Sequence, residues 1–386
     1  MRILYGVVGE GMGRATRSRV VLEYLVSRGH EVHVVVSGRA HAFLAERFKG
    51  RPEIDFHEIH GLALTYEGNA LDRSESLWDN LEKAPAGILR NVETYAAVAE
   101  EGARAQLVVS DFESWAYLYA LYHRIPVVSI DNMQVINRCL HDEDVTGGDG
   151  FDFQLVKTAV KVKLPGAYHY LVTSFFFPPV RKRRTTLVPP ILRPQILAAR
   201  REPGQHVLVY QTAAANQALV PALQRLDAWQ FRVYGLGRAG REGNVTLCAF
   251  SETAFVDDLR TARAVVAGGG FSLMSEAVHL RVPMLSVPVE KQFEQELNAR
   301  YLAKLGYGAW ARALDADTIA GFLDNAEAHA RALAAYEPRD NTMLFACVEE
   351  LMRDVSIDEP PPDRLEADAM GKWFGKPLEG EFADDQ

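Results

Sequence analysis

The run Val265 to Gly308, VVAGGGFSLMSEAVHLRVPMLSVPVEKQFEQELNARYLAKLGYG, constrains this chain more than any other stretch. Ala264 to Ala267 is a short apolar strand, and Gly268, Gly269 and Gly270 follow it directly. Ser272 is a fitting N-cap for a helix through Glu276 to about Leu280. Met284 to Val287 is a second strand, set between Pro283 and Pro288. A second helix opens near Gln292, with Phe293, Leu297, Tyr301 and Leu305 at helical spacing. Strands alternating with helices build a sheet whose ligands bind at the carboxyl ends of its strands.

This layout suits a phosphate. Glycines let the backbone approach an anion closely, and a helix N-terminus adds free N–H groups and a positive dipole. Glu276 lies about one turn into the first helix, where a carboxylate can accept from two neighbouring ribose hydroxyls. Glu294 and Gln295 fall in the first turn of the next helix, at the same sheet edge, and can hold sugar hydroxyls. Phosphate, ribose and sugar binders in that order describe a nucleotide-sugar pocket. A glycine turn alone is common in such units; the polar residues at the strand ends carry the functional reading.

The start of the chain repeats the pattern. Ile3 to Val8 is a continuous apolar strand, as at the centre of a parallel sheet. The turn Gly9-Glu10-Gly11-Met12-Gly13 follows, then a helix from about Thr16 to Ser27, a Gly29 C-cap and a strand from Glu31 to Val36. A dinucleotide fingerprint would need glycine at its sixth position, which counted from Gly9 is Arg14. It would also need an acid after the second strand, where Ser37-Gly38-Arg39 stands. NAD is therefore disfavoured, and only NADP would suit Arg39.

Residues 40 to 105 read as largely helical, with Trp78, Leu81, Ile88 and Leu89 on amphipathic faces. Leu107 to Val109 and Ile125 to Ile130 are strands, ending in Ser110-Asp111-Phe112-Glu113 and Asp131-Asn132. Asp111 and Glu113 are the best carboxylates for chemistry, and Asp111 also fits as cap of the next helix. Asp142-Glu143-Asp144 mimics a metal-binding Asp-x-Asp, yet it precedes Gly147-Gly148-Asp149-Gly150 and reads as a polar loop. Tyr170 to Phe177 reads as an aromatic strand. Arg181-Lys182-Arg183-Arg184 reads as a solvated turn, or else as a face for an anionic acceptor or peripheral membrane contact.

Pro189-Pro190, Pro194 and Pro203-Gly204 form a composition break. Beyond it come the strand His206 to Tyr210, the turn Gln211-Thr212, the strands Phe231 to Tyr234 and Val245 to Ala249, and Phe250-Ser251. Helices are expected around Ala316 to Ala335 and Asn341 to Arg353. From Ile357 the composition turns to Asp, Glu, Pro and Gly, an acidic flexible tail.

At 386 residues the chain has room for two wound units. A net charge of −9 argues against nucleic-acid binding. Cys139, Cys248 and Cys347 are too scattered for a disulfide framework or metal cluster and read as thiols of a reducing compartment. MRILYGVVGEG is strand and turn rather than a signal segment, and no run reaches the roughly 18 apolar residues of a membrane span. The expected location is cytoplasmic, with the inner face of the membrane as a variant.

The stretch Glu276-Ala277, Val282-Pro283, Pro288, Glu294-Gln295, Asn298-Ala299 and Gly306-Tyr307-Gly308 resembles the donor-binding signature of GT-B glycosyltransferases. That superfamily holds the UDP-glycosyltransferases, the UDP-glucuronosyltransferases among them, and the lipid-II N-acetylglucosaminyltransferase. Arg281 replaces the usual glycine before Val-Pro. The phrasing of Gln292-Phe293-Glu294-Gln295 and Leu305-Gly306-Tyr307-Gly308 is closer to a poorly characterised prokaryotic branch.

The resemblance implies an α/β fold of the GT-B type, two doubly wound Rossmann-like domains facing across a cleft. An acceptor-side domain would span 1–200 and a nucleotide-sugar domain 204–340. A helix over 341–356 would pack back on the first domain, with the tail over 357–386. The activity implied is metal-independent, inverting transfer from a nucleoside diphosphate sugar, UDP first, to a hydroxyl of a small-molecule or lipid-linked acceptor, with no cofactor. Gln211, Thr212, Phe250, Ser251, Gly268, Gly269, Gly270, Phe271, Ser272, Glu276, Glu294 and Gln295 would bind the donor. The turn Gly11-Met12-Gly13 would line the cleft. Many members carry Gly-His after the first strand, the His serving as base; here the pair is Gly13-Arg14. Arginine stays protonated and cannot take that proton. Asp111, Glu113 and Glu10 are the candidate bases, with Arg14 for the diphosphate or an acidic acceptor. An epimerase on the same fold and a non-catalytic nucleotide-sugar sensor are the alternatives.

Overall fold

The computed structural model describes residues 1–9, 12–61, 65–67, 70–72, 87, 89–99, 104–147, 150–211, 218–290, 292–363 and 365. The first sheet holds β1 (Arg2–Val7), β2 (Glu31–Ser37), β3 (Ile54–Ile59), β4 (Leu107–Asp111), β5 (Val127–Asp131), β6 (His169–Thr173) and β7 (Thr185–Val188). Their order is β3-β2-β1-β4-β5-β6-β7, and every pair is parallel. The second sheet holds β8 (His206–Tyr210), β9 (Gln230–Tyr234), β10 (Gly240–Glu242), β11 (Val245–Cys248), β12 (Ala264–Ala267), β13 (Met284–Ser286) and β14 (Gly308–Trp310). Its order is β10-β11-β9-β8-β12-β13-β14, parallel except at β10. In each sheet the first strand lies centrally and the strand order reverses beside it. That switch point opens a crevice at the carboxyl ends.

The central strands are buried along their whole length because helices cover both faces. The helices that bear on the cleft are α1 (Met12–Ser27), α2 (Gly38–Arg47), α3 (Ser114–His123), α4 (Phe151–Lys163), α5 (Glu252–Thr261), α6 (Phe271–His279) and α7 (Phe293–Lys304). A last helix, α8 (Thr342–Ser356), places Leu344, Cys347, Val348, Leu351 and Met352 in one apolar cluster with Ile3, Val21 and Leu25. Tyr24 of α1 stacks on Phe345 of α8 at a centroid distance of 3.9 Å.

Several expectations need correction. Residues 40 to 105 are not simply helical, since β3 and a small hairpin of Thr65–Glu67 with Ala70–Asp72 fall there. β3 is an edge strand in which only Ile54 and Ile59 are buried, so no apolar run announced it. Trp78, Leu81 and Ile88 lie outside the described residues. The first helix starts at Met12 rather than Thr16. The region Ala316 to Ala335 is two helices, Ala316–Asp324 and Ala326–Ala334, broken at Asn325.

The aromatic strand ends at Thr173 rather than Phe177. Beyond it the backbone N–H of Phe176 donates to the Ser174 hydroxyl at 3.2 Å, and the chain turns. Phe175 stacks near Phe271, and Phe176 lies on Tyr301 with 3.9 Å between centroids and 9° between planes. The aromatic run therefore bridges the two halves. The basic run is not a solvated turn throughout either: Lys182 is buried, Arg183 lies 3.8 Å from Asp363, and the Arg184 carbonyl accepts from Tyr170 N. Asp142 and Asp144 start a short helix, and Lys304 of α7 reaches both of them. Among the described residues, no helix is long and apolar enough to cross a membrane. Of the tail, 364 and 366–386 lie outside the described residues.

Candidate active site

The two halves meet at two helix N-termini. The Ser272 hydroxyl, in the first turn of α6, donates to the Gly13 carbonyl in the first turn of α1 at 3.1 Å. Ser272 is therefore not the N-cap expected of it. Gly270 occupies that position with φ −63° and ψ 124° and has no side chain to cover the free N–H groups. Neither helix carries an acid in its first turn. Two positive helix ends in contact, with no acid in the first turn of either, favour an anion between them. Arg14 adds a cation in the same turn of α1, and its guanidinium lies 3.8 Å from Glu294 across the cleft.

Close approach explains the glycines. A Cβ at Gly9 would lie 1.9 Å from the Ser37 carbonyl oxygen, so the turn after β1 packs directly on the end of β2. A Cβ at Gly269 would lie 2.5 Å from the Gln295 carbonyl oxygen. The Gln295 side chain accepts from Gly269 N at 3.1 Å and Val289 N at 3.0 Å, and donates to Gln292 at 2.5 Å. Asn298 donates to the Gly269 carbonyl at 3.3 Å. So α7 holds the glycine loop in shape, and Gln295, read as a sugar binder, is a loop clamp here. The sequence pattern did not single out Asn298 as a holder of the loop; its side-chain amide, one turn after Gln295, was the available signal.

Glu276, read as the ribose binder, is held by Arg193 through two contacts of 2.8 Å. Arg193 also reaches Glu252 at 3.3 Å, and Arg19 of α1 reaches the same Glu252 oxygen at 3.1 Å. Burial pushes the Glu276 carboxyl up, with the Arg193 charge opposing it. Burial also acts to raise Glu252, but hydrogen bonds from Arg19 and Arg193 outweigh it and hold that carboxyl below its usual range. The network spans both halves and the segment between them. Sequence reasoning did not identify Arg19 or Arg193, because their partners lie far away in the chain.

The strand-end acids are engaged as well. Asp111 is fully buried; its oxygens accept from Arg17 Nε at 3.0 Å, from Arg17 Nη2 and from the Ser18 hydroxyl at 2.8 Å. It ties α1 to β4 and does not cap the next helix. Glu113 caps α3 instead, accepting from Trp115 N and Ala116 N at 2.7 Å. Burial pushes the Glu113 carboxyl up. Asp131, one strand further, accepts from the Ser129 hydroxyl at 2.5 Å and Gln134 N at 2.9 Å. Burial raises its carboxyl to about 6.

The other expected site residues are spread around the second sheet. Gln211 is buried at the end of β8, its N–H donating to the Tyr234 carbonyl at 3.1 Å. Phe250 projects from the end of β11 with 70% of its surface exposed, while Ser251 caps α5. Phe271 is buried against Phe175. Gly268 and Gly270 sit on the loop beside Gly269, and Met12 opens α1, part exposed. Glu10, Gly11 and Thr212 lie outside the described residues.

Residues 1–326 match the family model described as Glycosyl transferase family 1. An uncharacterized glycosyltransferase of Methanosarcina mazei is 26% identical over 341 residues, covering 80% of this chain and 85% of the relative. One from Methanosarcina acetivorans is 23% identical over 332 residues, with coverage of 80% and 85%. Among solved structures, the glycotransferase of kitacinnamycin has a TM-score of 0.61 at 18% identity, covering 87% of this chain and 93% of its own. A UDP-glucose: anthocyanidin 3-O-glucosyltransferase in complex with UDP has a TM-score of 0.61 at 16% identity, covering 92% and 99%. Those likenesses establish the two-sheet GT-B architecture. With the family match extending through the glycine loop and α7, the chain belongs to glycosyl transferase family 1 and is a glycosyltransferase.

Proposed function

We propose that this protein moves a sugar from a nucleoside diphosphate sugar, UDP-linked in first place, to a hydroxyl of a small-molecule or lipid-linked acceptor, with inversion and without metal. The contact of Ser272 with Gly13 carries the reading, because it joins the first turns of α1 and α6, the latter without a side-chain cap, and Arg14 in one place. As the acceptor oxygen attacks, the bond from the anomeric carbon to the diphosphate oxygen breaks, and negative charge grows on the leaving group. Fixed N–H groups and a guanidinium stabilise that charge without having to reorganise, so a metal is not required. Proteins of similar fold were solved with UDP and with UDP-L-rhamnose, which favours uridine as the base.

The proton acceptor is assigned to Glu10. Asp111 and Glu113 are committed to Arg17 and to the α3 cap, and both are buried. They act as positioning residues. Glu10 stands two positions before Met12, the first residue of α1, in the sequence. Glu10→Gln should keep UDP binding and lose most transfer.

Arg14 at the position of the usual histidine also supports a second reading, a nucleotide-sugar sensor without turnover. A thermal-shift panel of UDP, GDP, dTDP, ADP and NADP, with and without magnesium, followed by assays for nucleotide release from UDP-sugars with acceptor alcohols, separates the two. UDP stabilisation without magnesium plus acceptor-dependent release supports transfer. UDP stabilisation with no release across a broad panel supports the sensor. A shift with NADP alone would end both.

A further inference from the structure

The first sheet carries a second constellation, away from the cleft. His33 on β2 stands opposite Asp55 on β3 in the parallel register, and His57 lies two residues further along β3, on the same face. Their ligand atoms all lie within 4.8 Å of one another. His57 Nε2 is 3.5 Å from His33 Nδ1 and 3.6 Å from Asp55 Oδ2. A tetrahedral zinc ion, with bonds of about 2.0–2.2 Å, sets its ligand atoms roughly 3.3–3.5 Å apart. Two edges of such a tetrahedron are thus nearly formed.

The surroundings hold these atoms in place. The Glu31 carboxylate lies 3.6 Å from His33 Nε2, the ring nitrogen turned away from His57, and Arg2 anchors Glu31 at 2.9 Å. A carboxylate on the far nitrogen is the usual support of a metal-bound histidine. Asp55 Oδ1 accepts from Phe56 N at 2.9 Å, leaving Oδ2 on the His57 side. The two imidazoles stack with 22° between planes, and their side chains are only 18% and 10% exposed. Asp55 is 61% exposed, so an ion can enter from solvent and keep a water as fourth ligand.

We propose that His33, Asp55 and His57 form a binding site for a divalent transition-metal ion, with Zn²⁺ the best match. Two imidazoles and one carboxylate suit zinc; calcium and magnesium prefer all-oxygen shells. The ion would link β2 to the edge strand β3. His33 is four residues before Ser37, where β2 reaches the turn after β1, about 13 Å at strand spacing. The site is therefore structural, and independent of donor binding.

The test uses the full chain, stripped of metal with a chelator. Zinc is titrated by calorimetry and by unfolding midpoint, with Co²⁺ as an optical probe. The expected result is one ion per chain and a midpoint rise of about 3 °C at hundredfold excess over the dissociation constant. Co²⁺ should show the intense visible bands of tetrahedral coordination. His33→Ala and His57→Ala should each abolish binding, and the UDP-induced shift should persist in both. If either variant fails to fold, Asp55→Asn, at an exposed position, should still weaken zinc binding and change the Co²⁺ spectrum. No saturable binding to the wild type overturns the proposal, and so does undiminished binding in the variants; the imidazoles would then simply share a hydrogen bond.

Discussion

Arg193 holds Glu276 through two parallel contacts of 2.8 Å, and both side chains are less than a tenth exposed. A glutamate whose sequence position suggested ribose binding is thus the inner partner of a buried ion pair. The pair lies in the network that ties α1 to α5 and α6.

Removing one partner leaves a buried charge alone. Arg193→Ala and Glu276→Ala should each lose about 3–5 kcal/mol of unfolding free energy. A double change to Met and Leu should recover most of it. Urea denaturation checks this, and single variants within ~0.5 kcal/mol of wild type would dismiss the network as a structural support.

The glycine loop offers a matched pair. A methyl at Gly269 meets Gln295 backbone, whereas one at Gly270 meets nothing within 4 Å and finds an ordinary φ of −63°. Gly269→Ala should therefore destabilise the chain by roughly 1–3 kcal/mol. Gly270→Val should fold as wild type and bind UDP at least tenfold more weakly, since its side chain crowds the α6 N-terminus. Unchanged UDP affinity in a folded Gly270→Val protein would count against an anion at that helix end.

Asp131 sets a pH dependence. Its folded carboxyl is raised to about 6, chiefly by burial, from an ordinary 3.8. A raised group contributes its stability in full below the unfolded value and loses it as pH rises through the folded one. The wild type should lose on the order of 2–3 kcal/mol from this residue between pH 4 and pH 7. Asp131→Asn can keep its Oδ1 as acceptor of Gln134 N and turn its amide NH2 to donate to the Ser129 hydroxyl, and it should flatten that slope. Parallel stability profiles for the two proteins would refute the shift.

Asp111 separates chemistry from architecture. As the anchor of Arg17 and Ser18, it should respond to Asp111→Asn with a loss of several kcal/mol in unfolding free energy, because Arg17 stays buried beside a neutral amide. As a base it would instead lose transfer at full stability. Calorimetric unfolding beside a nucleotide-release assay distinguishes the outcomes.

Much of the fold was legible locally. His206–Tyr210 and Ala264–Ala267 coincide with strands read from the sequence, because a strand covered on both faces is largely apolar. β3 escaped notice because, at a sheet edge, Asp55, His57 and Glu58 carry no burial signal. The glycine loop and the helices around it were legible from residue type and spacing. The duties of the polar residues were not. Glu113 rather than Asp111 caps α3, and that depends on backbone direction after β4.

The sequence by itself determined that this chain forms wound parallel sheets with a glycine loop at a helix start, since backbone conformation and periodic burial are properties of neighbouring residues. Only the tertiary structure decided what each charged side chain faces. Arg17 meets Asp111 across 94 residues, and Arg19 meets Glu252 across 233. Buried charge must find opposite charge wherever the fold supplies it, and which strand or helix supplies it is a matter of topology.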